Sequence, residues 1–443
     1  MAAFLSFLWP GAGHWYRGRR RAALLYALPV VGAALVAITQ VLGGVSDLAL
    51  EMFAPSFSLT VLILIVLLGM WRLVAMIDAG APAGGWRRAR KETVFAFIAL
   101  AVAVVTVHGV AAYYTWSFYQ AGSRIFVVDP GTEAAVGSGN PGDAPLVATP
   151  FETPATPAAR INVLLTGIDS AKGRNHALND TLIVATIDPV THNVAMVSFP
   201  RDISNFPLWK GGRFSGKINS LMTYAADHKN EFPDGPLPSL IKELGYLVGA
   251  PIHYYAAVDL DGFRRLIDKV GGVDIVNPRA INDPDYGGWT DKRPIGFTLS
   301  AGVHHLDGPN ALAYVRSRKG AGDSDFSRAR RQQQLLVALA RKLSDPKMLP
   351  RLPDLLTVAG DTVRTNFPSD RLREMIDLTR DIPDNQITQV VLGPPYSQRP
   401  SLTADVYTLE LDFARLAALS VKIFGTDSTY SGLAPGTFPP PAQ

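Results

Sequence analysis

The chain has 443 residues, 48% of them hydrophobic, and a mean hydropathy of +0.14. It is long enough for more than one domain and more apolar than an ordinary soluble protein, which indicates a membrane portion. The net charge of +4 is small and lies partly in arginine clusters near the N-terminus, so we expect no nucleic-acid partner. The absence of cysteine excludes disulfides, thiolate catalysis and zinc-thiolate sites.

Three apolar segments, at about 22–45, 57–77 and 94–116, are each close to the ~20 residues that a membrane-spanning helix needs. The loop between the first two has Asp47 and Glu51 but no Lys or Arg. Basic residues precede the first segment and separate the second from the third: Arg17, Arg19, Arg20, Arg21, Arg87, Arg88, Arg90 and Lys91. The positive-inside rule therefore predicts a multi-pass plasma-membrane protein with a cytoplasmic N-terminus and an extracytoplasmic C-terminal part.

Composition divides the chain further. Residues 1–118 form the predicted all-α membrane region, and 119–159 are rich in Pro, Gly and Thr, as expected of an extracytoplasmic linker. A folded domain is predicted at 160–426, and a disordered tail at 427–443.

Strands and helices are predicted to alternate within the folded domain. The apolar runs 161–165, 181–187, 194–198 and 387–392 are strand-like. Helical patterns cover 237–247, 260–270, 327–343, 352–366, 369–381 and 410–424, and within 369–381 the pattern is clearest at 371–380. This order predicts an α/β or α+β sheet covered by helices.

Charged residues cluster beside these apolar runs. Asp169 follows one predicted strand and Asp180 precedes the next, so both carboxylates are expected at one edge of the sheet. Arg201 and Asp202 follow a third strand. Arginines bind phosphate oxygens bidentately and carboxylates bind magnesium, so the set favours a pyrophosphate site with a divalent metal. Singly, each residue has an ordinary explanation as a turn cap or a surface ion pair.

A second group of candidate residues lies further along the chain. If the sequence YVRSR is a strand, Arg316 and Arg318 project from one face about 7 Å apart, which suits neighbouring phosphates. Arg328 and Gln332 share a helical face. Asp325, just before that predicted helix, has the character of an N-cap or of a ligand.

These clusters, in this order, resemble the LytR-CpsA-Psr family of bacterial cell-envelope proteins, with a motif core at 161–345. The resemblance implies a three-layer α-β-α domain with a mixed central sheet. It also implies that Asp169 and Asp180 hold magnesium, or manganese. One departure is Leu178, where many members have an arginine.

The resemblance also assigns roles to the other residues. It implies catalytic roles for Arg201, Asp202, Arg316 and Arg318, with Asp202 as a second choice for the general base. It implies substrate binding by Lys217, Asn219, Arg328, Arg331 and Gln332.

The expected function is that of a membrane-anchored, magnesium-dependent phosphotransferase. It would move a glycopolymer from a polyprenyl-pyrophosphate carrier to a peptidoglycan acceptor in cell-wall assembly. Two alternatives stay open, a polyprenyl-pyrophosphate phosphohydrolase and a non-catalytic, envelope-lipid-binding transcriptional attenuator. The glycopolymer, the acceptor sugar, the oligomeric state and the role of the additional spans also stay open.

Overall fold

A computed structural model describes residues 1–43, 45–82, 90–126, 160–168, 179–287, 295–343, 345–371, 374–375, 378, 382–400, 406–434 and 437–439. The chain divides into two compact units, Met1–Ser123 and Arg124–Gln443. Most of the predicted linker, from 127 to 159, lies outside the described residues.

The first unit is helical. Its helices are α1 (Ala2–Leu8), α2 (Ala12–Tyr16), α3 (Arg20–Gly43), α4 (Val45–Glu51), α5 (Pro55–Gly80) and α6 (Lys91–Ile125). Three of them contain segments long and apolar enough to cross a membrane, at Arg20–Gln40, Pro55–Gly80 and Lys91–Ile125. The predicted all-α region with three apolar helices is confirmed.

The short helices at the N-terminus pack closely within this unit. A Cβ at Gly13 would lie 2.0 Å from the carbonyl oxygen of Ala2, so only glycine allows α1 and α2 to approach this closely. His14 is buried and its Nε2 lies 3.0 Å from Oδ2 of Asp78. Arg19 donates to both oxygens of the same carboxylate, at 3.0 and 3.1 Å. The segment before the first span is therefore a specifically packed part of the membrane unit.

The second unit is built on a mixed sheet. Its elements are β1 (Ile161–Ile168), β2 (Asn179–Ile187), β3 (Val194–Ser198), β4 (Ser204–Pro207), β5 (Arg213–Lys217), α7 (Leu221–Asp227), α8 (Pro236–Val248), β6 (Tyr254–Asp259), α9 (Leu260–Lys269), β7 (Val273–Asn277), β8 (Ile281–Asp283), β9 (Phe297–Leu299), β10 (Gly302–Leu306), α10 (Gly308–Arg316), α11 (Asp325–Leu343), α12 (Leu352–Thr362), β11 (Val363–Thr365), β12 (Ile387–Val391), β13 (Ser397–Gln398), β14 (Glu410–Leu411) and α13 (Phe413–Phe424). The central sheet has the order β11-β6-β1-β2-β3-β12. Its β1–β6 and β3–β12 pairs are parallel and the other pairs antiparallel.

Helices cover both faces of this sheet. Alternate strand residues such as Leu164, Val184 and Val197 pack in one core cluster with α8 and α13. On the opposite face, Gln333 of α11 donates to the hydroxyl of Ser198 at 2.8 Å. Because Val197 and Ser198 are consecutive strand residues, their side chains point to opposite faces. The predicted α/β domain with three layers and a mixed sheet is confirmed.

Three predicted elements are wrong in type or extent. YVRSR is not a strand, since its first three residues end α10 and Ser317 and Arg318 lie in the turn after it. The helix begins at the Asp307 cap, which accepts from the Asn310 N–H at 2.9 Å. The helix predicted at 352–366 ends at Thr362, where the chain continues as the edge strand β11. The last helix begins at Phe413 rather than 410, since Asp412 is its N-cap.

The predicted disordered tail is also wrong for its first residues. Tyr430 is 2% exposed, and its hydroxyl donates to the carbonyl of Leu247 at 3.1 Å. Thr429 N–H donates to the carbonyl of Gly249 at 2.8 Å. Of the helix predicted at 369–381, the structure has a 3₁₀ turn at Ser369–Arg371, and most later residues lie outside the described part.

Candidate active site

A cavity of about 360 Å³ gathers five of the predicted site residues. Arg201 comes from the loop after β3, Arg316 and Arg318 from the end of α10 and the turn after it, and Arg328 and Gln332 from α11. The other lining residues are Thr181, Leu260, Asp283, Asp285, Tyr286, Gly287, Val315 and Lys319. Segments distant in sequence thus bring four guanidinium groups to one concave surface.

Asp325 is the shared counter-ion of three of these arginines. Its Oδ1 lies 2.9 Å from Nη2 of Arg328, 3.6 Å from Nη1 of Arg318 and 3.9 Å from Nε of Arg201. It is the first residue of α11, where a negative charge interacts favourably with the helix dipole. The N-cap contact is made instead by Ser324, whose Oγ accepts from the N–H of Ser327 at 3.2 Å.

Arg316 and Arg318 reach the cavity by a different route from the predicted one. Arg316 ends α10, and Ser317 has an extended backbone, φ −56° and ψ 137°, that turns the chain out of the helix. The two side chains therefore line one cavity from a helix end and a turn, and not by alternation along a strand.

Asp202, Lys217 and Asn219 lie beside the cavity, and none of them is among its described lining residues. The carboxylate of Asp202 is 5% exposed, accepts a short hydrogen bond from Nζ of Lys217 and lies 3.6 Å from Nε of Arg201. The N–H of Asn219 is directed at the carbonyl of Arg201, at 3.5 Å. Asp202 thus contacts two cations beside the cavity, and its role as a general base stays a prediction.

Arg331 is not among the described lining residues of the cavity, and its described contacts hold the turn that follows α10. Its guanidinium donates to the carbonyls of Tyr314, at 2.7 Å, and of Ser317, and to Oδ1 of Asp323 at 2.9 Å. Its role in substrate binding stays a prediction. Gln332 does line the cavity and donates to the carbonyl of Val315 at 3.3 Å.

Sequence reasoning missed several groups around the cavity. Asp283, at the end of β8, is 2% exposed and lines it together with Asp285 and Tyr286. Burial raises the pKa of Tyr286, which keeps its phenol protonated and able to donate. The available signal was D-P-D-Y after a short apolar run, but such a pattern is also typical of an ordinary turn.

The two predicted metal ligands are Asp169 and Asp180, and the structure describes only the backbone of Asp180. Asp169 lies outside the described residues, and Asp180 lies in β2 with its side chain outside the described part. Their sequence neighbours Ile168 and Asn179 are paired in the β1–β2 ladder, and Thr181 lines the cavity. In the described residues, no group of three or more His, Asp or Glu side chains is arranged to hold a metal.

Positive charge predominates in the described lining. Among the described lining residues five are basic and two are acidic, and Asp325 adds a third carboxylate beside them. Guanidinium groups at this density are stabilised by a polyanion that accepts several hydrogen bonds from them. The arrangement is suited to binding a pyrophosphate diester, which has two negative charges.

The chain is similar in sequence to known proteins. The LytR_cpsA_psr family matches residues 144–412. The polyisoprenyl-teichoic acid–peptidoglycan teichoic acid transferase TagU of Bacillus mycoides is 30% identical over 215 residues, which are 48% of this chain and 63% of that protein. The protein of the same name from Halalkalibacterium halodurans is 28% identical over 215 residues and is covered to the same extent. The chain thus spans less than two thirds of the length of these relatives.

Solved structures of similar chains were also found. Bacillus subtilis TagV superposes with a TM-score of 0.47 and 24% identity, covering 61% of this chain and 98% of that one. TagT bound to LI-WTA superposes with a TM-score of 0.45 and 22% identity, covering 61% and 90%.

Proposed function

The chain belongs to the LytR-CpsA-Psr family, and from this premise we propose that it is a membrane-anchored phosphotransferase in cell-wall assembly. Its donor is proposed to be a glycopolymer linked to polyprenyl pyrophosphate, and its acceptor peptidoglycan. The observation that carries the proposal is the convergence of Arg201, Arg316, Arg318 and Arg328 on one cavity of about 360 Å³.

The proposed reaction is displacement at phosphorus. A sugar hydroxyl of the acceptor attacks the phosphorus nearer the glycan, the bond from that phosphorus to the bridging oxygen breaks, and polyprenyl phosphate leaves. The hydroxyl loses its proton to a base. Negative charge grows on the bridging oxygen and is stabilised by guanidinium groups fixed before the substrate arrives.

Asp325 supports this role of the arginines. Its Oδ1 keeps Arg201, Arg318 and Arg328 within 3.9 Å of a single point, so their mutual repulsion does not drive them apart before the substrate binds. Since three guanidinium groups share one carboxylate, their remaining donors are directed to other acceptors, among them the substrate. Such pre-orientation lowers the reorganisation that the transition state requires.

A magnesium ion, or a manganese ion, is proposed for the same site. Carboxylates are the donors that these hard cations prefer, and Asp169 and Asp180 adjoin the paired residues Ile168 and Asn179 at one end of the β1–β2 ladder. When bound, the cation would neutralise phosphate charge next to the arginines.

We also propose that the N-terminus is cytoplasmic and the second unit extracytoplasmic, because basic residues flank the predicted cytoplasmic ends of the apolar helices. The chain has no cysteine, so single introduced cysteines give an unambiguous readout. In intact cells, a membrane-impermeant maleimide should label Lys229→Cys and not Tyr16→Cys. The reverse pattern would overturn the proposed topology.

Transfer is tested with the purified full chain, a short-chain polyprenyl-pyrophosphate-linked glycan, peptidoglycan oligomers and magnesium. We expect Arg318→Ala to lose roughly 10²-fold or more of the transfer rate, as removal of one charge-stabilising donor commonly does. Arg330→Ala, an exposed neighbour on α11 that does not line the cavity, is the matched control and should retain the wild-type rate.

The same assay separates the alternatives. Release of glycan phosphate and polyprenyl phosphate without a transferred product would favour the phosphohydrolase. A folded wild-type protein that binds the lipid without turnover would favour the non-catalytic regulator.

A further inference from the structure

The end of α10 and the turn after it, Arg316 to Lys319, are held from two sides by buried charged groups. On one side, Oδ2 of Asp283 accepts three hydrogen bonds, from the hydroxyl of Ser317 at 2.9 Å and from the N–H groups of Arg318 and Lys319 at 3.0 and 3.1 Å. Asp283 ends β8 and is 2% exposed. A single buried carboxylate oxygen therefore fixes three consecutive residues.

The opposite side of this turn is fixed by Arg331. Its guanidinium donates to the carbonyls of Tyr314 and Ser317, and Asp323 holds the guanidinium in turn, at 2.9 Å. N–H groups of the turn thus donate to Asp283 of β8, and carbonyls at the end of α10 and in the turn accept from Arg331 of α11. The carbonyl of Tyr314 lies in the last turn of α10, where backbone carbonyls have no partner within the helix, so Arg331 supplies the donor that it lacks.

We propose that Asp283 is a positioning residue for the proposed reaction, which fixes the guanidinium groups of Arg316 and Arg318 at the cavity by holding the backbone between and after them. The proposal rests on the proposed pyrophosphate site. Two arginines on a helix end and an adjacent turn would otherwise occupy many conformations, since a side chain of this length loses much rotamer freedom when it is ordered. Holding the backbone reduces the ordering that is left for the substrate to impose.

The first experiment compares Asp283→Asn with wild type as full chains in detergent, with inorganic pyrophosphate as the probe in calorimetric titration. Asn keeps the size of the side chain but replaces a carboxylate by a neutral amide, which weakens hydrogen bonds to a charged acceptor. We expect pyrophosphate affinity to fall about tenfold or more, and the rate of transfer with it. In hydrogen exchange, the amides of Arg318 and Lys319 should lose protection.

Asp307→Asn is the matched control. Asp307 caps the start of the same helix, accepting from the Asn310 N–H, but it is exposed and does not line the cavity. It should leave pyrophosphate affinity within about twofold of wild type, since Asn is also a good N-cap. A similar loss in both variants would mean that general weakening of α10, and not positioning, explains the effect.

Arg331→Lys tests the second side of the turn. Lysine keeps the charge but cannot donate simultaneously to the two carbonyls in the planar geometry of a guanidinium. Because Asp283 and Arg331 hold the same turn, the double variant should lose less affinity than the product of the two single losses. Strictly multiplicative losses would overturn the inference that the two residues act together on this turn.

Two further results would overturn the proposal. Wild-type pyrophosphate affinity in Asp283→Asn, together with a reduced rate, would mean that Asp283 acts on the acceptor proton and not through the arginines. Unchanged exchange at Arg318 and Lys319 would mean that Asp283 does not hold the turn. If wild type itself binds no pyrophosphate, the proposed function fails, while the exchange experiment still reports on the turn.

Discussion

Glu243 provides a stability test that is independent of the reaction. It lies on α8 with an exposure of 0%, surrounded by the core cluster of that helix. Its Oε2 accepts from the N–H of Trp209 at 3.2 Å, and its Oε1 accepts no hydrogen bond from the part of the chain that the structure describes. Burial raises the pKa of this carboxyl to about 8, so the folded protein keeps it protonated at neutral pH.

The direction of the pH dependence follows from this pKa. Between the ordinary value of 4.5 and about 8, the folded chain retains a proton that the unfolded chain has released. Stability therefore falls as pH rises through this window, by at most about 1.4 kcal/mol per pH unit. From pH 5 to pH 7.5 the upper bound is about 3 kcal/mol, which for a domain of this size corresponds to several degrees in Tm.

Glu243→Gln removes this dependence because glutamine is neutral in both states. We expect the variant to unfold near the wild-type temperature at pH 5 and several degrees above it at pH 7.5, measured by calorimetry of the full chain in detergent. Glu231→Gln is the control, because a hydrogen bond from Lys210 lowers the pKa of the exposed Glu231 and the variant should gain nothing as pH rises. A Tm difference between Glu243→Gln and wild type that stays constant from pH 5 to 7.5 would refute the assignment of a buried neutral carboxyl.

Two other changes test the packing of each unit. Burial lowers the pKa of His253 to about 4, so stability should fall as pH drops from 6.5 to 4. In His253→Asn, Tm should depend less on pH over this range. A steeper fall of Tm between pH 6.5 and 4 in the variant would contradict a neutral imidazole at His253. Gly13→Ala should reduce the yield of membrane-inserted protein because its Cβ would lie 2.0 Å from the Ala2 carbonyl oxygen. Gly32→Ala, where nothing lies within 4 Å, should not, and equal yields would argue against the close packing of α1 and α2.

The central strands were predictable because short runs rich in Val and Ile strongly favour a buried strand over other structures. The runs at 161–165, 181–187 and 194–198 lie within β1, β2 and β3, whose Val- and Ile-rich sequences are buried between helices. The three apolar helices were predictable from length and composition alone. In both cases the hydrophobic pattern decides the structure, and tertiary contacts only adjust the ends.

Elements whose type depends on a capping contact were harder to predict. YVRSR has a strand-like alternation, with β-formers Tyr314 and Val315 beside two arginines, and yet it ends a helix that begins at the Asp307 cap. The cap was visible in the sequence as D-G-P-N, but Ala311, Leu312 and Val315 are too few to establish helical periodicity. Tertiary burial of these residues against α9 and α11 decides the outcome.

The site residues show the same division. The residues Arg201, Arg316, Arg318, Arg328 and Gln332, which the sequence grouped, line one cavity, although the element that carries Arg316 is a helix and not a strand. Their roles stay predictions. The sequence did not distinguish Arg331 from its neighbours. Its guanidinium donates to two backbone carbonyls and to the carboxylate of Asp323, and such tertiary contacts cannot be read from a run of arginines and glutamines.

The acidic residues around the cavity show how such a dense cationic site is kept folded. Three buried or half-buried carboxylates act in different ways, since Asp202 pairs with Lys217 and Arg201, Asp325 is shared by three arginines, and Asp283 bonds to the backbone that carries two of them. Because Asp283 bonds to N–H and hydroxyl groups, it orders the arginines without pairing with their guanidinium groups in the described contacts. Ordering of the backbone and direct pairing with guanidinium groups are thereby carried out by different carboxylates.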